Sequence, residues 1–168
     1  MESSQAFERD LMQLLPRLRR FAHTLSRNPA DADDLTQAAV ERALRSREQW
    51  QPGTRLDSWM YRIMRNLWID TARARTRKDR YEAPEDEAEF VGHDPREALD
   101  ASLELKRAMD AMDRLPDEQR EVVALILVEG FGYREVSEML DLPIGTVSSR
   151  LVRGRTALLA MLSRAGDD

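Results

Sequence analysis

Between Thr146 and Arg155 the chain carries side chains suited to a DNA groove: Ser148, Ser149, Arg150, Val152, Arg153 and Arg155. Arginine forks match guanine edges and phosphates, and small hydroxyls bond to either. The Thr146 hydroxyl can cap a helix here, and the backbone N–H groups of that first turn can meet a phosphate. A second basic cluster lies upstream. Arg62, Arg65, Arg73, Arg75, Arg77, Lys78 and Arg80 stand against Asp70 and Asp79, with Asn66 among them. Trp59, Tyr61 and Trp68 interleave with these cations, and Trp50 just precedes them. Arginine beside aromatic rings suits melted nucleic acid, where unpaired bases stack and phosphates pair. The same tryptophans would equally fill a core, and the same arginines would equally face water. A third cluster, Asp31, Asp33 and Asp34, could be imagined as a metal site with His23. Acids at a helix start are ordinarily caps, so no metal is expected.

These side chains need helices to position them. Phe7, Leu11, Leu14, Leu15, Leu18, Phe21, Ala22 and Leu25 follow the 3.6-residue period, which predicts a helix over 6–25 with a kink or a start at Pro16. Asn28-Pro29 is a break. Asp31 or Asp33 is expected to cap a second helix to about Arg45, with Leu35, Ala38, Ala39 and Leu44 inward. After the Gln51–Thr54 loop, a third helix runs from about Leu56 to Lys78, its apolar stripe being Trp59, Ile63, Leu67 and Trp68. Residues 82–95 are acidic and proline-bearing and read as a linker. A helix over 96–112 uses Leu99, Leu103, Leu105, Met109 and Met112. Pro116 or Asp117 opens the next, an apolar stretch from Glu118 to Val128 that Gly130 and Gly132 terminate. Tyr133–Leu140, the break at Asp141–Pro143 and a final helix to about Leu162 complete the chain. Val136, Met139, Leu140, Val147 and Leu151 are spaced to pack these last two helices together as a helix-turn-helix. Charge alone fits a plain helical hairpin with a solvated basic face. The turn residues and packing spacing favour DNA binding. The expected class is all-α: a domain over 1–80, an acidic flexible linker over 81–95, and a helix-turn-helix domain over 96–168.

Composition removes several classes of function. There is no cysteine, and the two histidines, His23 and His93, are far apart, which argues against thiolate or histidine zinc chemistry. No apolar run is long enough to span a bilayer, and the polar N-terminus reads as no signal peptide, so a cytoplasmic protein is expected. No cofactor is expected, nor covalent catalysis, since no nucleophile–base pair or phosphate-binding glycine loop stands out. The net charge is −5, distributed as +5 over 1–80, −7 over 81–100 and −3 over 101–168. An acidic chain binds bulk DNA poorly, so DNA contact must come from local patches or with a partner's help.

Four segments together resemble the extracytoplasmic-function type of bacterial sigma factor, the smallest class of the sigma-70 family, which keeps only conserved regions 2 and 4. They are Asp31-Ala-Asp-Asp-Leu-Thr-Gln-Ala, Trp59-Met-Tyr-Arg-Ile-Met-Arg-Asn66, Leu115-Pro-Asp-Glu-Gln-Arg120 and Gly145-Thr-Val-Ser-Ser-Arg-Leu151. The resemblance covers nearly the whole chain, in the right order. It implies promoter-specific transcription initiation with core RNA polymerase and recognition of −10 and −35 elements. By position, it implies that Asp33, Asp34, Gln37 and Glu41 grip the β′ clamp helices. It places the −10 element, melted, on Trp50, Arg62, Arg65, Asn66 and Arg73. It gives the −35 duplex to Thr146, Ser148, Ser149, Arg150, Val152, Arg153 and Arg155, on a domain that meets the β flap. It further implies an anti-sigma partner and a stress-responsive role. Gln51-Pro52-Gly53-Thr54 departs from the Phe-Arg-Gly run common in this loop and is similar to general-stress members. A stand-alone helix-turn-helix regulator, whose first domain would bind an effector or dimerise, and a helical protein-binding adaptor are the competing readings.

Overall fold

The computed structural model describes residues 2–80 and 101–166, and the expected linker lies outside them. The chain divides into two compact units, one within residues 1–91 and one within 92–168. The described residues are helical, with turns between helices and no strand.

In the first unit, α1 (Glu2–Ser26) packs on both α2 (Pro29–Arg45) and α3 (Leu56–Asp79), which also pack on each other. Phe7, Leu11, Leu18, Phe21 and Ala22 of α1 are buried, as their period predicted. Pro16 neither starts nor ends this helix; α1 runs through it. Its missing N–H would have served Met12, and both residues are exposed, so water can reach the orphaned carbonyl. Arg27 closes α1 in the left-handed region (φ 56°), its N–H donating to the His23 carbonyl at 2.8 Å.

The cap of α2 is neither Asp31 nor Asp33. Asn28 holds that place: its side-chain oxygen accepts from the N–H groups of Ala30 (2.9 Å) and Asp31 (3.1 Å), with Pro29 preset for the first turn. The buried face of α2 is Ala32, Leu35, Thr36, Ala39 and Ala43, whereas Ala38 and Leu44 are exposed. Small residues on that face let α1 and α3 approach closely. In α3 the buried side chains are Leu56, Met60, Tyr61 and Met64. Trp59, Ile63, Leu67 and Trp68 are only half-buried.

The second unit comprises α4 (Ala101–Asp113), α5 (Asp117–Val123), a π-helical turn (Ala124–Val128), α6 (Tyr133–Leu140) and α7 (Ile144–Gly166). Leu103 and Leu105, expected to face inward, are exposed, and Ala111 and Leu115 are buried in their stead. Pro116 caps α5. The π turn closes with the Glu129 N–H on the Ala124 carbonyl (2.9 Å), and the wider turn leaves Leu127 and Val128 in solvent. Gly130 ends this segment at φ 76°, while Gly132 opens α6, its N–H donating to the Glu135 carboxylate (2.8 Å).

Arg120 is 2% exposed. Its guanidinium donates to the Leu115 carbonyl (2.8 Å) and to Asp117 (2.7 Å), so it fills a core position and ties down the turn between α4 and α5. Gly154 lies where α7 crosses α5. A Cβ there would stand 2.7 Å from Val123 Cγ2 and 3.2 Å from Gln119 Cβ, so only glycine allows this approach.

Candidate nucleic-acid interface

The orientation of α7 is fixed from behind. Val136, Met139 and Leu140 of α6 are buried together with Val147 and Leu151 of α7, the packing that the spacing predicted. Asp141 makes the turn in the left-handed region (φ 53°), and Ser137 holds it from both sides. The Ser137 carbonyl accepts the Leu142 N–H (3.0 Å), and its hydroxyl donates to the Leu142 carbonyl (2.5 Å). Helix α7 begins at Ile144, with the Pro143 carbonyl accepting from Thr146 and Val147. Thr146 is therefore inside the first turn and not its cap.

The sequence-assigned side chains of α7 fall into two groups. Ser148, Val152, Arg153 and Arg155 are exposed, Val152 at 60%. Gly145, Ser148, Val152 and Arg153 form an open face turned away from the buried stripe of Val147, Leu151 and Gly154, whereas Arg155 lies about 160° from Arg153, at the flank beside Leu151. Thr146, Ser149 and Arg150 are half-buried. The Ser149 hydroxyl donates to the Thr146 carbonyl (3.2 Å), and Arg150 pairs with Glu118 of α5 (3.3 Å). Arg150 thus leans toward the α5 N-terminus.

The basic helix α3 also has two sides. At about 100° per residue, Arg62, Asn66, Arg73, Arg77 and Arg80 lie within about 60° of one another, opposite the buried side chains. All five are exposed, and Arg65 at their flank is half-exposed. Arg75 points the other way, about 160° from Arg73. It continues the inward row of Met64 and Trp68 and reaches α2, where it donates two hydrogen bonds to Asp31 (2.9 and 2.7 Å). Its guanidinium also lies over the Trp68 ring, 5.6 Å from the centroid. The hydrogen bond from Arg75 holds the Asp31 carboxyl below its ordinary range, and Asp31 in turn holds Arg75 more firmly protonated. Sequence reasoning counted Arg75 as one cation among seven; its helical position, on the core side, was the available signal.

The start of α3 is clamped similarly. Asp57 accepts from Arg17 of α1 (3.2 Å), from Arg55 (3.0 Å) and from the Ser58 N–H (2.8 Å). Burial works to raise its carboxyl, yet these donors together hold it below the ordinary range. Trp50 is half-buried, its ring 5.5 Å from Phe7, which in turn meets Trp59. Its indole Nε1 is buried without a hydrogen-bond partner among the described residues. The ring therefore anchors the entry to the Gln51–Thr54 loop against α1, and the loop residues themselves are exposed. On α2, Asp33, Asp34, Gln37 and Glu41 are all exposed, with Gln37 donating to Glu41 (3.3 Å) and Leu44 on the same side. No group of acids and histidines among the described residues is arranged to hold a metal ion. None of the described helices is long and apolar enough to cross a membrane.

Comparison with known proteins places both units. Residues 11–78 match the family description "Sigma-70 region 2", and residues 105–158 match "Sigma-70, region 4". The chain is 35% identical over 162 residues to the ECF RNA polymerase sigma factor EcfG of Rhodopseudomonas palustris, covering 96% of this chain and 88% of that one. It is 39% identical over 157 residues to the ECF RNA polymerase sigma factor SigE of Mycolicibacterium smegmatis, 88% of this chain but only 58% of that protein's length. Among solved structures it is similar to the sigma factor RpoE in complex with the anti-sigma factor NepR from Bartonella quintana. The TM-score there is 0.82 at 29% identity, over 95% of this chain and 98% of that one.

Proposed function

The chain belongs to the extracytoplasmic-function sigma factors of the sigma-70 family, and from that premise we propose how its surfaces divide the work of initiation. The chain acts without covalent chemistry, in the cytoplasm, as a dissociable subunit of RNA polymerase. The outward face of α2 (Asp33, Asp34, Gln37 and Glu41, with Leu44) grips the β′ clamp helices. The outward strip of α3 (Arg62, Asn66, Arg73, with Arg65 at its flank) takes the melted −10 strand. Trp50 contributes by fixing the adjoining loop. In α7, Ser148, Val152 and Arg153 face the −35 bases, Arg155 meets nearby phosphates, and Thr146 and Ser149 border the first turn. The second unit also docks on the β flap. Residues 1–80 and 96–168 are the functional domains, and 81–95 the tether between them.

One observation carries this reading: each unit presents a coherent polar strip opposite its own core, on the helix where regions 2 and 4 would need it. Charge supports the division of labour. With a net of −3 over 101–168, the −35 reader is weak alone and depends on polymerase to hold the promoter. RpoE is bound by NepR in the similar structure. An anti-sigma protein is proposed to hold this chain too, with the exposed Leu103, Leu105, Leu127 and Val128 available to it.

The test adds the full chain to sigma-free core polymerase and reads run-off transcripts from promoters selected out of a random duplex library. Discrete, chain-dependent transcripts are expected. Absence of both transcripts and core binding overturns the reading. Lysine at positions 34 and 37 should weaken core affinity about tenfold, as close charge contacts across an interface do. An unchanged affinity removes α2 as the clamp-binding face.

A further inference from the structure

Beyond Thr71 every residue of α3 is exposed, so apolar packing does not hold the helix end that carries Arg73 and Arg77. Arg75 reaches back from this stretch to the body of the unit. Its two hydrogen bonds to Asp31 span 44 residues of sequence and join the last turns of α3 to the first turn of α2. The planar fork meets both carboxylate oxygens, which sets direction as well as distance. Trp68, one row back, supplies a ring for the same guanidinium. With Arg75 turned inward, helical geometry sends Arg73 and Arg77 outward, in line with Arg62 and Asn66.

We infer that Asp31 and Arg75 are positioning residues for capture of the melted strand. Their bridge pins the free end of α3 to α2 and so aims Arg73 and Arg77 at phosphates, and Arg75 itself does not touch DNA. This rests on the strand-capture reading of α3 given above. The alternative is that Arg75 is itself a phosphate contact.

The two readings give opposite signs for one substitution. If Arg75 were a phosphate contact restrained by Asp31, Asp31→Asn would release it and strengthen the complex. If the pair positions α3, Asp31→Asn weakens the complex.

The measurement is open-complex half-life for holoenzyme made from the full chain. The template is a promoter selected from a random duplex library by wild-type holoenzyme. Asp31→Asn and Arg75→Gln should each shorten the half-life, about three- to tenfold, the scale of one misplaced phosphate contact. The exchanged pair Asp31→Arg with Arg75→Asp should recover at least half of the loss, although it puts an acid on α3. Adding Asp31→Asn to the double variant Arg73→Ala, Arg77→Ala should cost little more than that double variant alone. Core affinity should stay at the wild-type value in all of them; a purely structural role would lower core affinity and thermal midpoint together.

A longer half-life for Asp31→Asn, or no recovery in the exchanged pair, overturns the inference. If wild-type holoenzyme selects no promoter at all, the sigma reading fails and the inference falls with it. If wild type selects a promoter and Asp31→Asn matches it, only the inference fails.

Discussion

In the division of labour proposed above, the two units solve the same problem, presenting one helix to nucleic acid, with different means. In the first, α3 buries its own Met60, Tyr61 and Met64 against α1 and α2, with Phe21 of α1 meeting the Tyr61 ring, and ion pairs fasten its ends: Asp57 with Arg17 at the start, Arg75 with Asp31 near the finish. In the second, α7 packs through Val147 and Leu151 on the buried face of α6, but two single positions decide how it meets α5. Gly154 lets α5 and α7 touch, and one buried guanidinium, Arg120, ties the turn that feeds α5. Support spread over many contacts degrades gradually when one is lost. Support concentrated in one residue fails with it. The fold of the first unit should therefore tolerate point changes near its proposed DNA face, and that of the second should not tolerate them behind its own.

The sharpest test of that contrast is Arg120→Ala. It leaves the Leu115 carbonyl without its donor and opens a cavity where the largest buried side chain stood. The expected loss is about 3 kcal/mol of stability in the second unit. All three tryptophans, Trp50, Trp59 and Trp68, belong to the first unit, so the two can be followed separately. The helical circular-dichroism transition should fall while the tryptophan fluorescence transition stays in place. A shift of both together would contradict independent support.

Gly154→Ala comes next. Alanine favours a helix interior by up to about 1 kcal/mol over glycine. Here the added methyl group meets Val123 at 2.7 Å, inside contact distance, and overpacking costs about 1 to 3 kcal/mol. The clash wins, and promoter binding through the −35 element should weaken as α7 is pushed off α5. Val123→Ala in the same chain should recover part of the loss. A variant as stable as wild type would show that the crossing is not held by this contact.

A third comparison runs along the face of α7. Arg153 is exposed on the open side, whereas Arg150 is half-buried and paired with Glu118. Arg153→Ala should lower promoter affinity about tenfold and relax discrimination among −35 sequences. Arg150→Ala should change affinity less than threefold, on the same estimate for a residue that is not a direct contact. Equal losses would mean that Arg150 leaves Glu118 when DNA arrives.

How much of this was legible beforehand follows from what periodicity and charge can carry. The all-α class, α1 and the α6–α7 packing were readable because their apolar positions are large and unambiguous: Leu11, Leu18 and Phe21, or Val136, Val147 and Leu151. In α3 two stripes compete. Trp59, Ile63 and Leu67 have the same period as Leu56, Met60 and Met64, offset by one residue, and only the neighbouring helices decide which row goes inside. The resemblance assigned both proposed nucleic-acid strips but not their direction. The cluster of cations set Arg75 beside Arg73, and Arg150 was assigned to DNA alongside Arg153, because charge alone has no sidedness. Arg120 was invisible for a related reason: residue type argues for the surface, and its partners, the Leu115 carbonyl and Asp117, are what make burial favourable.

The smallest expected effect lies in the first unit and is a gain. Arg27 ends α1 at φ 56°, a conformation that brings its Cβ toward the following carbonyl and costs roughly 1 kcal/mol in an L-residue. Glycine removes that strain but gives the unfolded chain more freedom, which takes back part of the gain. Losing a cation at a helix C-terminus takes back about 0.3 kcal/mol more. Arg27→Gly should therefore stabilise the first unit by only a few tenths of a kcal/mol, or about 2 °C in its fluorescence transition. Arg27→Ala keeps the strained backbone and loses the same guanidinium, so it should be less stable than wild type. The difference between the two variants isolates the backbone, since whatever the side chain contributes is absent from both. If glycine and alanine give the same midpoint, the left-handed residue carries no strain, and the junction of α1 and α2 is governed by the Asn28 cap alone.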